Sequence, residues 1–240
     1  MIPATRLYYK TLMRFNNLAS NEHQDIPKSD WVLAANEAQI KLVKKKIGLN
    51  NNYGIGLDGF RKRYEDLQML VVPHIELSLS DDKTLNNRWS STKKTTELDP
   101  SYLMYSDLYI TAKKGDCDDR VLTLSIIKHS DLPILLKNTN FTPSFEYQES
   151  IGTISSNKFE VYTDGSFTPK NLFVSYLRYP TKIDLEGYID LDEKESENKD
   201  CELPDFLEDE LLDLITMELG MDTENNNAIQ NSQIRSQTNE

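Results

Sequence analysis

The chain has 240 residues, of which 38% are hydrophobic, and this allows one large domain or two small ones with a modest core, which excludes a wholly disordered protein. Residues 184–224 carry 17 acidic and two basic side chains, within a net charge of −12 for the whole chain. Because phosphate recognition relies on clustered Lys and Arg, this distribution disfavours a nucleic-acid reader.

Helical periodicity dominates residues 1–72, the first predicted part of the chain. Apolar side chains that recur every three or four residues predict a first helix over residues 5–19. A second and clearer helix begins at Ser29 or Asp30, either of which can cap it, and ends at Gly48. The lysines of its last turn suit the negative end of the helix dipole.

A third helix is predicted to begin at Asp58 and to end at Pro73. The glycines of residues 54–59 formally match a dinucleotide-binding pattern. That pattern needs a preceding strand, whereas a helix and an Asn-rich loop come first here. We therefore expect no cofactor. The predicted buried face of this helix consists of Phe60, Tyr64, Leu67 and Val71.

Alternating apolar and polar side chains in residues 75–80 mark the start of a β domain, predicted over residues 73–183. Turn signals at residues 114–116 and 164–166 separate its strands. A short helix is predicted within residues 130–138. Further strands are predicted at residues 108–112, 121–127, 144–148, 158–163 and 172–177.

Three segments follow the β domain. Like charges in residues 184–202 repel one another, so we expect an acidic, solvated linker there. Residues 203–222 predict an amphipathic helix whose leucines need a partner, and the helices before Pro73 are the natural one. Residues 223–240 are rich in Asn and Gln and are predicted to be a polar arm. The predicted fold class is α+β, a discontinuous helical bundle with an inserted antiparallel β domain.

The sequence also bears on the compartment. No run approaches the roughly 18 apolar residues of a membrane span, and the N-terminus lacks the apolar centre of a signal peptide. We therefore expect a protein made in a cytoplasm, without a membrane partner. Cys117 and Cys201 are far apart and lack CxxC spacing, so we interpret both as ordinary thiols.

Four short segments carry a resemblance to known proteins. They are residues 36–39, 59–67, 176–180 and 203–207, and a helix and a polar tail follow the last of them. In this order they resemble tail-adaptor or ring proteins of short-tailed bacteriophages, with the crAss-like phages as the closest group. The resemblance spans most of the chain. It implies a structural virion protein, not an enzyme, that joins the portal to the tail.

The resemblance further implies a homo-oligomeric ring of about twelve copies in the capsid–tail connector, assembled in the cytoplasm of a bacterial host. Its implied partners are the portal protein, other tail or ring proteins, and passing DNA, which an acidic lumen does not hold. No catalytic, cofactor-binding or metal-binding residue is expected. The interface candidates are Arg61, Arg63, Tyr64, Ile229, Ile234 and Arg235.

Two alternatives from other classes stay open. One is a metal-dependent phosphodiesterase or nuclease in which Asp116, Asp118 and Asp119 meet Asp81 and Asp82 in a cleft. Metal-dependent cleavage of DNA by the purified protein would discriminate it. The other is an acidic protein that mimics DNA and occupies a nucleic-acid-binding partner. That role needs acidic side chains on a folded surface.

Overall fold

The protein has a mixed α+β structure, as predicted, and it falls into two compact units. The computed structural model describes residues 1–18, 26–48, 65–81, 91–95, 97–138, 141–189, 193–222 and 226–238. The first unit, Met1–Leu70 with Tyr179–Glu240, holds the long helices, and we name it the helical unit. The second, Val71–Arg178, holds the strands, and we name it the sheet unit.

The secondary structure of the described residues comprises five α-helices, seven strands and two 3₁₀ turns. The helices are α1 (Ala4–Leu18), α2 (Lys28–Ile47), α3 (Leu132–Leu135), α4 (Glu208–Asp222) and α5 (Asn226–Thr238), and the 3₁₀ turns are Gln68–Leu70 and Asp205–Leu207. The strands are β1 (Val71–Asp81), β2 (Ser91–Thr95), β3 (Tyr102–Lys113), β4 (Arg120–Ile126), β5 (Glu149–Ser155), β6 (Lys158–Thr163) and β7 (Thr168–Arg178).

The first two predicted helices are confirmed, with one difference at a helix start. Helix α2 ends at Gly48, whose N–H donates to the Lys44 carbonyl at 2.8 Å, as the sequence indicates. Its start is not capped by Ser29 or Asp30. It follows Pro27, and the Ser29 hydroxyl donates to the Asp30 carboxylate instead. The extended backbone of Pro27 is a suitable entry to the helix because the ring fixes φ.

The prediction of a third helix is wrong at its C-terminal end. Most of the remaining predicted helix lies outside the described residues. Val71 and Pro73 belong to strand β1, which pairs on one side with β7. The register shifts between Val72 and Ile75, so Pro73 lies in an irregularity where its missing N–H costs no ladder hydrogen bond. His74 in the same irregularity has a φ of 50°.

Helix α4 is buried on most of its circumference, and it lies against α1, α2 and α5. A helix that is buried nearly all round forms the centre of its unit. Residues 226–238, predicted as part of a polar arm, form helix α5 instead. This helix gains a partner in α4, which supplies the contacts that its own sequence lacks. The buried apolar residues of α4 are Leu211, Leu212, Leu214, Ile215 and Leu219.

The seven strands close into one continuous sheet in the order β1-β2-β6-β5-β4-β3-β7, with β7 paired to β1. All neighbours are antiparallel except β4 and β5, which are parallel. The prediction of a wholly antiparallel domain is therefore wrong at this pair. A parallel pair requires a crossover, and residues 127–148, which include α3, supply it.

Most predicted strands overlap observed ones. Residues 108–112, 121–127, 158–163 and 172–177 fall in β3, β4, β6 and β7, which confirms them. Residues 144–148 do not form a strand. They make a turn closed by hydrogen bonds between Ser144 and Glu149, and β5 begins only at Glu149. Strands β2 and β5 have no counterpart among the predictions.

The inward side chains of the closed sheet form its core. They alternate along β3, β4, β6 and β7, as the period of two requires. Phe145 and Phe167, whose ring centroids are 6.1 Å apart, lie at one end of this core. The remaining core side chains include Leu108, Ile110, Leu122, Leu124, Phe159, Val161, Leu172 and Val174.

The acidic segment 184–202 is not the extended linker that we predict. Its described part turns back on itself, because Asp184 pairs with Lys199 and Ile189 with Glu195 in antiparallel bridges. Apolar anchors outweigh the repulsion of like charges at its base, where Leu185 is buried. We name residues 184–199 the acidic hairpin.

Candidate functional site

A row of ion pairs joins the N-terminal and C-terminal parts of the helical unit. Residues 1–70 carry 11 basic and seven acidic side chains, whereas residues 179–240 carry four basic and 18 acidic ones. The acidic residues of α4 face the basic residues of α1 and α2, so opposite charges meet. We name these pairs the charge seam. Its pairs are Arg6 with Glu208, Lys10 with Glu208, Arg14 with Asp209 and Asp213, Lys41 with Glu218, and Lys46 with Glu210.

Lys46 is the most buried cation of the charge seam. Its Nζ lies 2.8 Å from Glu210 Oε2 and 3.3 Å from Asp66 Oδ2. Lys46 Nζ donates a hydrogen bond to the other oxygen of Glu210, Oε1, at 3.0 Å. Glu210 Oε2 and Asp66 Oδ2 accept no hydrogen bond of good geometry, and the charge of the ammonium group compensates them. The sequence indicates only that Lys46 suits the negative end of the α2 dipole; in the structure its side chain also binds the carboxylates of Asp66 and Glu210.

Lys41 shows the electrostatic effect of the charge seam on a titratable group. Its Nζ donates a hydrogen bond to Glu218, and this bond raises the pKa of Lys41 above its usual value. Partial burial of the ammonium group opposes the rise without cancelling it. The charged form of Lys41 is therefore the one that the fold favours.

Polar contacts fix the acidic hairpin to α1 and α2. The Asn36 side chain donates to the Ile183 carbonyl at 2.9 Å and accepts from the Ile183 N–H at 2.8 Å, as a neighbouring strand would. Lys28 Nζ donates to the Glu186 carbonyl at 2.8 Å. Asp200, just beyond the hairpin, accepts from the Ala4 N–H at 3.0 Å and so caps α1 from a distant part of the chain.

Cys201 lies next to this cap and is fully buried. Its backbone pairs with Ile2 in an antiparallel bridge. Burial raises the pKa of the Cys201 thiol to about 11, and a thiol that keeps its proton is inert. Cys117 is exposed, and both cysteines are free, in agreement with the prediction of two ordinary thiols.

The six interface candidates fall into two groups. Arg61, Arg63 and Tyr64 lie outside the described residues. The other three lie on helix α5, where Ile229 is half-buried and Ile234 and Arg235 are exposed, Ile234 at 62%. Their role at a subunit contact stays a prediction.

The carboxylates of the nuclease alternative are not brought together within the described residues. Asp119 forms an ion pair with Lys170, 2.5 Å from its Nζ, while Asp116 and Asp118 are exposed in the turn between β3 and β4. The Asp81 side chain and Asp82 lie outside the described residues. Where the structure describes the chain, no group of three or more His, Cys, Asp or Glu is placed to hold a metal ion.

A buried polar network on the sheet unit was missed by the sequence analysis. The Glu160 carboxylate accepts hydrogen bonds from Thr153 at 3.0 Å, Tyr162 at 2.8 Å and Ser155 at 2.6 Å. The alternation in β6 places Glu160 and Tyr162 on one face, which the sequence could have indicated. It could not indicate that the crossover packs against Tyr162, through Leu132 of α3, and covers this face.

Large apolar side chains are exposed on both units. On α1, Tyr9 and Met13 are exposed at 65% and 69%, one helical turn apart on the same face. We name them the α1 stripe. On the sheet unit, Val121 and Tyr147 are exposed at 55% and 82%. We name them the sheet-end patch. Apolar side chains exposed close together are candidates for a contact surface.

The two residues of the sheet-end patch lie at the same end of the closed sheet. Arg120, next to Val121, lies 5.0 Å over the ring of Phe145, and the Thr123 N–H donates to the Gln148 carbonyl, next to Tyr147. The surrounding turns carry acidic side chains. Exposed and acidic at this end are Asp116, Asp118 and Asp164.

No protein-family model and no curated protein matches this chain. Within the described residues, none of the helices is both long and apolar enough to cross a membrane.

Proposed function

We propose that this chain is a structural virion protein, a ring subunit that joins the portal of a phage capsid to the tail. The observation that carries the proposal is the exposure of large apolar side chains on both units, in the α1 stripe and in the sheet-end patch. A subunit that uses two different surfaces makes heterologous contacts, and these form a ring when the rotation between neighbours closes. The resemblance of the four sequence segments to tail-adaptor proteins gives the ring its place in the connector.

We also propose how the helices and the sheet unit are arranged along the chain. The helices before Val71 and helix α4 form a discontinuous bundle, and the sheet unit is its insertion. Contacts of α4 with α1 and α2 support this arrangement. The charge seam also supports it, because its pairs join residues between 164 and 202 positions apart in the chain.

The acidic hairpin suits passage of DNA through a ring. Its side chains Glu193, Glu195 and Glu197 are exposed, and the hairpin carries no basic cluster that would hold phosphates. A lumen lined by such groups repels the DNA backbone and leaves it free to slide. The partners in this proposal are further copies of the chain, the portal and other tail proteins, within the virion.

A second candidate is favoured by one observation. An acidic protein that mimics DNA needs carboxylates on a folded surface, and the acidic hairpin is folded rather than extended. A nucleic-acid-binding partner would then take the place of the portal. The two candidates differ in their oligomeric state, because a decoy acts as a monomer or small oligomer and a connector as a closed ring.

The test is the assembly state of the purified full-length chain, measured by analytical ultracentrifugation over a range of concentrations and by negative-stain electron microscopy. The connector proposal expects closed rings of one symmetry and the chain among the proteins of purified virions. A chain that stays monomeric at every concentration and is missing from virions would overturn it. Retention of the monomer on a column of immobilised DNA-binding protein, competed by DNA, would favour the decoy.

A further inference from the structure

We infer that neighbouring subunits meet by docking the sheet-end patch of one copy on the α1 stripe of the next. This inference rests on the proposed function, and it adds which surfaces form the contact. Among the described residues, the exposed large apolar side chains of the sheet unit concentrate between β4 and β5. Tyr147 is the most exposed of them, at 82%. Its partner must offer a comparable apolar surface.

The α1 stripe offers that surface with the complementary charge. Helix α1 carries three basic side chains and no acidic one. Arg6 and Lys10 flank Tyr9 and keep 41% and 46% of their side chains exposed beside their ion pairs with Glu208. A neighbour can therefore reach them. The end of the sheet that carries the sheet-end patch exposes the carboxylates of Asp116, Asp118 and Asp164 and the cations of Lys113 and Arg120. The carboxylates are in excess, and they can face Arg6 and Lys10 of the next copy.

The net charges of the two units also favour a contact between different units of two copies over a contact between like units. The helical unit holds 15 basic and 25 acidic side chains, and the sheet unit holds 12 and 14. Two copies that meet through their helical units bring two strongly negative bodies together, which is unfavourable. A contact between the helical unit of one copy and the nearly neutral sheet unit of the next avoids this repulsion. It is also heterologous, as a ring requires.

Cysteine cross-linking tests the contact directly. One preparation carries Met13→Cys and another Tyr147→Cys, both with Cys117→Ser to remove the exposed native thiol. Oxidation of the mixture is expected to give a disulfide-linked dimer that neither preparation gives alone. A dimer formed equally well within one preparation would show a contact between like surfaces and would overturn the inference.

Charge substitution gives an independent readout. Met13→Glu places a carboxylate opposite the acidic sheet end and is expected to weaken assembly at least tenfold, whereas adding Tyr147→Lys in the same chain is expected to restore it. Leu33→Glu is the matched control, because Leu33 is a similarly exposed apolar residue of α2. Circular dichroism verifies that each variant is folded.

The outcomes separate this inference from the proposed function. Rings that form normally with Met13→Glu, or that fail only with Leu33→Glu, would overturn the assigned surfaces and leave the ring subunit standing. A wild-type chain that forms no oligomer, together with no cross-link between the Met13→Cys and Tyr147→Cys preparations, would remove both.

Discussion

Arg14 and Asp213 form an ion pair across 199 positions of sequence, with Arg14 Nη1 2.6 Å from Asp213 Oδ1. The Asp213 side chain is only 2% exposed, and the other guanidinium nitrogen, Nη2, binds the exposed Asp209. A single side chain of α1 thus neutralises a buried carboxylate of α4. The pair shows how the charge seam joins the two ends of the chain into one unit.

Replacing Arg14 by Met is expected to lower the free energy of unfolding of the helical unit by about 3 kcal/mol, because the buried carboxylate of Asp213 loses its ion pair with Arg14. The measurement is urea denaturation followed by circular dichroism. Lys114→Met is the control, since its pair with Glu146 lies at the surface, with 36% and 61% of the two side chains exposed, and its loss should change stability little. Equal effects of the two substitutions would show that burial of Asp213 does not increase the loss of stability.

The leucines of α4 are expected to supply most of the apolar stabilisation of the helical unit. Leu211 is fully buried, and Leu211→Ala should cost roughly 2–5 kcal/mol through lost burial and the cavity that remains. Leu214→Ala should fall in the same range. Leu33→Ala on the exposed face of α2 is the control and should stay within about 0.5 kcal/mol. A Leu211 variant as stable as this control would contradict the central position of α4.

Two glycines of the sheet unit are expected to respond differently to substitution. A Cβ at Gly152 would lie 2.8 Å from the Glu160 carbonyl oxygen, whereas one at Gly115 would meet nothing within 4 Å. Gly115 instead needs its φ of 53°, which Asn tolerates. Gly115→Asn should therefore be nearly neutral. Gly152→Asn should destabilise the sheet unit by about 1–3 kcal/mol. Thermal unfolding of both variants is the measurement.

Elements that depend on neighbouring residues were predictable from the sequence, whereas features that depend on distant contacts were not. Turn residues, helix periodicity and strand alternation are local, and they predicted α1, α2 and strand β6 within a few residues. Pro73 misled the prediction because proline usually ends a helix. Here a bulge in β1 accommodates it, and a bulge depends on the partner strand rather than on the sequence nearby.

The candidate site depends even more on long-range contacts. The excess of acidic residues in the C-terminal part is visible in the sequence, but their pairing with α1 and α2 follows only from the packing of α4. Asn36 and Asp200 are ordinary polar residues in the sequence, and nothing local indicates that they bind Ile183 and the start of α1. The fold of the acidic hairpin therefore could not be predicted from its charge.

The two thiols are expected to differ strongly in reactivity. Burial raises the pKa of Cys201 to about 11, so iodoacetamide at pH 8 should modify Cys117 quickly and Cys201 only after unfolding. Because the unfolded thiol loses its proton near pH 9 and the folded one does not, the stability from this group is complete below pH 9 and is lost as pH rises towards 11. Mass spectrometry of native and urea-treated protein measures the labelling. Equal rates in the native state would contradict the burial.

The charge of the acidic hairpin is expected to affect the passage of DNA through the proposed connector. Replacing Glu193, Glu195 and Glu197 by Lys should slow genome ejection, because new contacts with phosphates hold the moving DNA. The delay should shrink as salt rises, since screening weakens these contacts. Asp200 must be left unchanged, because its carboxylate caps α1 and its loss would affect folding rather than passage.

Three Lys substitutions at exposed acids of the sheet unit outside the sheet-end patch, Glu76, Glu97 and Asp131, form the matched control, since they add the same positive charge elsewhere on the surface. The readout is the rate of DNA release from purified virions, together with the yield of filled capsids. A normal yield with slowed, salt-dependent release in the hairpin variant alone would place the hairpin beside the DNA path. Unchanged release at low salt would assign the hairpin to the outer surface of the ring, where added lysines meet no DNA.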